Sequence, residues 1–218
     1  MTALIDGPRI PPADGGPARS LVVFVHGYGA DGNDLIDLGR MFAPVLPGTA
    51  FASPHAPEPA GDLPFGRQWF PLAHGDMHAY FAGVRHAAPA LDAFLDAELA
   101  RLGLTDAALA LVGFSQGSMM ALHVGPRRHG RIAGIVAYSG LLAGGEHLAI
   151  EARNQPPVLL VHGEADPVIP VVALHAASPV LSAAGFEVAA HVRPGLAHGI
   201  DEEGLRLGAA FLRRVLPA

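Results

Sequence analysis

The stretch AALALVGFSQGSMMAL, residues 107–122, combines the patterns of a strand, a sharp turn and a helix. Its apolar beginning, residues 107–112, predicts a buried β-strand, and residues 118–122 predict the first turns of a helix. Between them stands the Gly-x-Ser-x-Gly motif of residues 113–117. Glycines on both sides of a serine let the strand and helix backbones pass closely while the hydroxyl projects above the sheet edge. This context favours a nucleophilic serine, Ser115, over an ordinary glycine-rich turn.

Strands and helices alternate on both sides of this stretch. Strands that alternate with helices imply crossover connections, a mainly parallel sheet and helices on both faces, which is an α/β fold. Short apolar runs predict strands at 21–25, 50–52, 107–113, 132–138, 157–162 and 186–192, and helical periodicity predicts helices at 33–43, 84–102, 116–124, 171–184 and 202–216.

The length of 218 residues predicts a single domain. Residues 1–19 are rich in proline and glycine and predict a loosely structured N-terminal arm, which leaves residues 20–218 for the α/β domain. Residues 53–83 have no sustained period and predict a long loop. Loops of this length inside compact domains are usually functional or mobile.

A serine hydroxyl is a weak nucleophile, so it needs a base to accept its proton and a carboxylate to orient that base. Asp166 follows the predicted strand 157–162, and His198 follows the predicted strand 186–192. The order Ser, Asp, His, with each residue beyond the end of a strand, is the order of the catalytic triad in α/β-hydrolases. Because parallel strands end at one edge of the sheet, we expect Ser115, Asp166 and His198 to meet there.

Three other residues are alternatives for these roles. Glu164 lies in the same loop as Asp166 and is a second candidate for the orienting acid. His162 and His191 are candidates for the base, although each lies within a strand or at its end rather than beyond it.

A second glycine motif, residues 27–32 (GYGADG), follows the predicted strand 21–25. Its Gly-x-Gly-x-x-Gly spacing is typical of the dinucleotide-binding turn of a nicotinamide-dependent oxidoreductase. That interpretation needs an acidic residue at the end of the second strand, where the sequence reads FASPH over 51–55. In the other interpretation, the backbone N–H groups of Tyr28 and Gln116 form an oxyanion hole, and the glycines allow close approach to a substrate carbonyl.

Composition excludes several classes of protein. The chain has no cysteine, which excludes disulfides, thiolate zinc sites and a cysteine nucleophile. All 14 basic residues are arginine, which excludes a Schiff-base lysine. A net charge of -6 argues against a nucleic-acid partner. The N-terminus has no secretory pattern and the apolar residues 107–126 have a polar, glycine-rich middle, so we expect a cytoplasmic protein without a membrane-spanning segment.

Four segments together resemble the phospholipase/carboxylesterase family, which includes acyl-protein thioesterases and small bacterial esterases. They are HGYGADG at 26–32, GFSQG at 113–117, HGEADPVIP at 162–170 and GLAHG at 195–199. The resemblance runs from about residue 20 to residue 216, and the pairs Trp69-Phe70 and Ser139-Gly140 match shorter family signatures. Pro71, after the aromatic pair, and Gly199, after the histidine, depart from the family pattern.

The resemblance implies a single-domain α/β-hydrolase without a large lid that acts on small carboxylic esters and needs no metal or cofactor. It implies Ser115, Asp166 and His198 as the triad. Two interpretations are open for Trp69 and Phe70, which either line an acyl pocket or anchor their loop to the core. The loop 53–83 is either a pocket wall or a homodimer contact. A binding module without catalysis on the same fold is the remaining functional alternative.

Overall fold

The alternating elements form one seven-stranded sheet with helices on both faces, in a computed structural model that describes residues 5–61, 63–72 and 75–217. The strands are β1 (Arg9–Ile10), β2 (Ser20–Val25), β3 (Thr49–Ala52), β4 (Glu58–Pro59), β5 (Arg67–Gln68), β6 (Leu109–Phe114), β7 (Gly134–Tyr138), β8 (Val158–Gly163) and β9 (Val188–Arg193). The helices are α1 (Gly32–Phe42), α2 (Met77–Leu102), α3 (Gln116–Val124), α4 (Gly145–Glu151), α5 (Val172–Ala183) and α6 (Glu202–Val215).

The sheet has the strand order β1-β3-β2-β6-β7-β8-β9, and β1 alone runs antiparallel to its neighbour. The registers align the strand ends, since Val25 pairs with Gly113 and Phe114 pairs with Tyr138. The loops that follow β2, β6, β7, β8 and β9 therefore leave the sheet at the same edge. The predicted α/β fold is confirmed, and this shared edge is where the candidate site lies.

Two hydrophobic cores, one on each face, account for the near-continuous apolar strands. In β2, the side chains of Leu21 and Val23 enter one core while those of Val22 and Phe24 enter the other. The first core packs against α2, α3 and α5, and the second packs against α1 and α6. A strand buried on both faces reads as an unbroken apolar run, which is why the sequence predicted the central strands well.

Residues 5–10 are more ordered than the composition of the predicted arm indicated. Ile5 is buried, and β1 pairs with β3 through Arg9–Ala52 and Ile10–Phe51. Arg9 donates from Nε (2.9 Å) and Nη2 (2.7 Å) to Oε1 of Glu98, which is almost completely buried on α2. A two-residue strand has no detectable period, so the sequence could not predict it.

The predicted long loop 53–83 contains a short hairpin of β4 and β5 and also the first turns of α2. The helix begins at Met77 rather than at residue 84, because the Asp76 side chain accepts hydrogen bonds from the N–H groups of His78 and Ala79. Residues 62, 73 and 74 of this segment lie outside the described residues. Of the helices within the described ranges, none has the length and apolar character needed to span a membrane.

Candidate active site

Ser115 occupies a strained turn between β6 and α3. Its backbone has φ 54° and ψ −119°, a conformation that non-glycine residues rarely adopt. The Ser115 N–H donates to the carbonyl oxygen of Tyr138 at 2.9 Å, which ties the turn to the adjacent strand β7. A side chain on Gly117 would overlap the Val25 carbonyl, and one on Gly113 would lie 2.5 Å from the Gly117 oxygen. Both glycines of the motif are therefore required by close backbone contact.

His198 and Asp166 are joined by a short hydrogen bond. The distance from His198 Nδ1 to Asp166 Oδ2 is 2.7 Å. A carboxylate only accepts, so Nδ1 carries the proton and the other ring nitrogen, Nε2, is left to act as a base. The N–H groups of Val168 and Ile169 both donate to Asp166 Oδ1 at 2.9 Å. Burial raises the pKa of Asp166, but the hydrogen bonds from His198, Ile169 and Val168 outweigh burial and hold the pKa below its ordinary value.

The loop that carries His198 contacts the loops that follow β6 and β7. The His198 ring lies 4.9 Å, centroid to centroid, from the ring of Phe114, the residue before Ser115. Ser139 donates from Oγ to the Gly199 carbonyl oxygen at 3.5 Å. The first contact involves the residue before Ser115, and the second involves the residue after His198. Among the described residues, the structure has no hydrogen bond between the Ser115 hydroxyl and the His198 ring.

The alternative acid and bases have other roles in this structure. Glu164 is exposed, and its Oε2 accepts a hydrogen bond from the Gly195 N–H at 3.2 Å. It thereby links the Asp166 loop to the His198 loop, together with the 3.0 Å bond from Ala165 N to Leu196 O. His162 is buried and bonded to a backbone carbonyl, while His191 is exposed on β9.

The glycine-rich turn after β2 lies beside Ser115. A Cβ atom on Gly27 would be 3.2 Å from the Cβ of Ser115. Within the described chain, no acceptor is found for the backbone N–H of Tyr28 or for that of Gln116. The buried His26 fixes the turn, since its Nδ1 donates to Gly27 O at 2.8 Å and its Nε2 accepts from Ala56 N at 3.0 Å. Burial lowers the pKa of His26, which keeps this ring neutral.

The side chain of Gln116 makes contacts that the sequence did not indicate. Its Oε1 accepts from Trp69 N at 2.9 Å, and its Nε2 donates to Phe70 O at 2.7 Å. Trp69 Nε1 in turn donates to the His26 carbonyl oxygen at 3.0 Å. The only signal of these contacts in the sequence is the presence of a glutamine directly after the serine of the turn. The loop 67–70, the serine turn and the Gly27 turn thus form one connected unit.

The rings of Trp69 and Phe70 are completely buried in the first core. Neither ring has solvent-exposed surface in this structure, so their packing gives no support to the interpretation in which these residues line an acyl pocket. Their contacts fit the other interpretation, in which the aromatic pair anchors the loop to the core.

An apolar groove of about 550 Å³ opens between the N-terminus of α2, the loop after β7 and helix α5. Leu141 lines the groove, and the residue before it, Gly140, packs against the serine turn, since a Cβ there would be 3.1 Å from the Ser115 carbonyl oxygen. The other lining residues are mostly apolar, among them Met77, Leu142, Val172 and Val180, and one, Glu146, carries a charge.

Comparison with known proteins identifies the family. The sequence profile of the phospholipase/carboxylesterase family matches residues 10–216. The crystal structure of esterase PE8 superposes with a TM-score of 0.94 at 44% identity, covering 98% of this chain and 100% of that chain. Esterase YpfH of Escherichia coli is 30% identical over 92% of this chain and 85% of its own length. Acyl-protein thioesterase 1 of Gibberella zeae is 28% identical over 90% of both chains.

The match over nearly the whole chain agrees with the sheet order, with the helices on both faces and with the motifs at the sheet edge. The chain therefore belongs to the phospholipase/carboxylesterase family and is a carboxylesterase-type hydrolase with an α/β-hydrolase fold.

Proposed function

We propose that the protein hydrolyses carboxylic esters through a Ser115–His198–Asp166 triad and an acyl-enzyme intermediate. The Ser115 oxygen attacks the ester carbonyl carbon while His198 Nε2 accepts the hydroxyl proton. Asp166 holds the imidazole in the required tautomer and stabilises the imidazolium. As the tetrahedral intermediate collapses, His198 returns the proton to the leaving alcohol. Water then attacks the acyl-serine with His198 as its base, and the acid and free Ser115 are released.

The negative charge of the tetrahedral oxygen needs donors that are already in position. The backbone N–H groups of Tyr28 and Gln116 have this role in the proposal, and their lack of an acceptor within the described chain supports it. Removal of one such donor typically costs 2.7–4 kcal/mol in the activation free energy. The Gln116 side chain contributes by tying its own residue to the loop 67–70.

The observation that carries the proposal is the 2.7 Å bond between His198 Nδ1 and Asp166 Oδ2, beside a serine in a strained turn. It gives the histidine a basic nitrogen and a fixed orientation. The hydroxyl and the ring are not hydrogen-bonded in this structure, and catalytic hydrogen bonds of free enzymes often tighten only when substrate binds.

The apolar groove supports esters of short to medium acyl chains as substrates. An acyl chain in this groove would be held by burial of apolar surface, which contributes about 0.8 kcal/mol per methylene group. Thioesters and lysophospholipids carry the same acyl group and are the alternative substrates within this class.

The test is the hydrolysis of p-nitrophenyl acetate, butyrate and octanoate by wild type and variants. Ser115→Ala is expected to lower kcat by about a million-fold on every ester, whereas Ser182→Ala, at an exposed serine on α5, leaves it unchanged. Val172→Asp, in the groove, is expected to raise KM for the octanoate more than for the acetate. Retention of wild-type turnover by Ser115→Ala would contradict the proposal.

A further inference from the structure

We infer that His162 is a positioning residue for the acid of the triad, holding the Asp166 carboxylate in place for His198. The inference rests on the proposed function, because it assigns a role to a residue that acts through that triad. His162 was a candidate for the catalytic base on sequence grounds. Its geometry gives it a different task.

The first step is the hydrogen bond of His162 to the Asp166 loop. His162 lies near the end of β8 with 2% of its surface exposed, and its Nε2 is 2.7 Å from the carbonyl oxygen of Ile169. A carbonyl only accepts, so Nε2 carries the ring proton and donates it. This nitrogen cannot serve as a base for a substrate while it holds the loop.

The second step is the connection from Ile169 to the carboxylate. The N–H of Ile169 donates to Asp166 Oδ1 at 2.9 Å, so one residue receives a bond from His162 and gives one to Asp166. These two hydrogen bonds thereby join the end of β8 to Ile169, and Ile169 to Asp166, within the loop between β8 and α5. Displacement of Ile169 would move a donor of the Asp166 carboxylate.

The third step is electrostatic. His162 Nε2 is also 3.4 Å from Asp166 Oδ2, the same oxygen that accepts from His198. The Asp166 side chain has no exposed surface, so water cannot replace a lost donor. The N–H dipole of His162 therefore favours the ionised carboxylate that His198 requires.

The experiment compares His162→Gln with His162→Asn in the full-length chain. The amide nitrogen of glutamine reaches the position of Nε2, whereas that of asparagine reaches only that of Nδ1. We expect His162→Asn to lower kcat on p-nitrophenyl butyrate by up to about 100-fold with little change in KM, because a small misplacement affects the reacting groups and not ground-state binding. His162→Gln is expected to keep most of the activity. His191→Gln, at an exposed histidine on β9, is the matched control and is expected to behave as wild type.

The pH dependence of kcat/KM separates positioning from folding. A misplaced Asp166 stabilises the imidazolium of His198 less, so the acid limb of the profile is expected to move to lower pH in His162→Asn. A fold defect alone lowers the fraction of active protein, which burst titration measures. It leaves the acid limb of the pH profile at its wild-type position.

Wild-type kcat and an unmoved acid limb in folded His162→Asn would overturn the inference. So would a folded His162→Gln that loses as much activity as is expected for the asparagine variant, and this second criterion holds even where the asparagine variant does not fold. An inactive wild type would contradict the proposed function instead, which distinguishes the two failures.

Discussion

At the scale of single residues, backbone strain lies at the edge of the sheet that carries the candidate site. Among the described residues, Ser115 and Ser139 are the non-glycine residues with positive φ, at 54° and 46°. They follow the adjacent strands β6 and β7, and their N–H groups donate to the next strands, to Tyr138 O and Val161 O respectively. Such a conformation costs on the order of 1–3 kcal/mol and persists where the surroundings enforce it. At both serines, the hydrogen bond to the adjacent strand holds the backbone in this conformation.

The close packing around the serine turn predicts a large effect for one added methyl group. Gly117→Ala places a Cβ against the Val25 carbonyl, which is backbone and cannot move aside. We expect a loss of more than about 3 kcal/mol in the free energy of unfolding, measured by urea denaturation. Gly199→Ala is the control, because nothing lies within 4 Å of its Cβ position, and its stability is expected to match wild type. Equal stabilities of the two variants would contradict the packing argument.

A buried histidine away from the active site predicts a pH dependence of stability. His123 on α3 is 4% exposed, and within the described chain its Nδ1 has no hydrogen-bond partner. Burial, and then the nearby charge of Arg127, lower its pKa from 6.5 to about 3. The unfolded chain binds a proton below pH 6.5 that the folded chain does not, so His123 lowers the stability as the pH falls from 6.5 toward 3.

The corresponding variant is His123→Leu, compared with wild type at pH 7.5 and pH 5. Between these pH values wild type is expected to lose about 2 kcal/mol more of its unfolding free energy than the variant, at about 1.4 kcal/mol per pH unit below 6.5. His26, whose pKa is also lowered, contributes equally to both proteins. His175→Leu, at an exposed histidine, is expected to retain the wild-type loss. An identical loss in His123→Leu would show that His123 becomes protonated in the folded protein.

At the scale of elements, the sequence predicted cores of helices better than their ends. The apolar period of α2 begins at Val84, the first residue of the helix that is fully buried in the first core. Its first seven residues have no such period, although Tyr80 and Phe81 among them are partly buried against the same core. Their helical state depends on the Asp76 cap at one end, and the helix ends at Gly103, in the left-handed conformation with φ 66°. Capping is a contact of one side chain, so periodicity cannot detect it.

Removal of the cap tests the origin of the helix start. Asp76→Ala is expected to lower the free energy of unfolding by about 1 kcal/mol, because the N–H groups of His78 and Ala79 lose their acceptor. Asp76→Asn keeps a side-chain oxygen and is expected to recover most of the loss. Thermal unfolding followed by circular dichroism measures both variants, and an alanine variant as stable as wild type would exclude a capping role.

At the scale of the whole molecule, the sequence predicted that Asp166 and His198 lie together at the edge of the sheet, but not how the surrounding residues bond. Alternation of strands and helices placed the loops that follow β2, β6, β8 and β9 at one edge, since all these strands are parallel. The choice between Glu164 and Asp166 depended on the conformation of a single loop, which spacing does not determine. The Gln116 side-chain bonds to the loop 67–70 join residues far apart in sequence, with no local pattern to indicate them.

The most direct test of the proposed triad is labelling of the full-length protein with a fluorophosphonate probe, followed by mass-spectrometric mapping of the tagged peptide. The account predicts a single tag on Ser115, lost in Ser115→Ala, and a labelling rate that falls steeply in His198→Ala but stays at the wild-type value in His191→Ala. A tag on another residue, no tag on the folded wild type, or an unchanged rate in His198→Ala would contradict it.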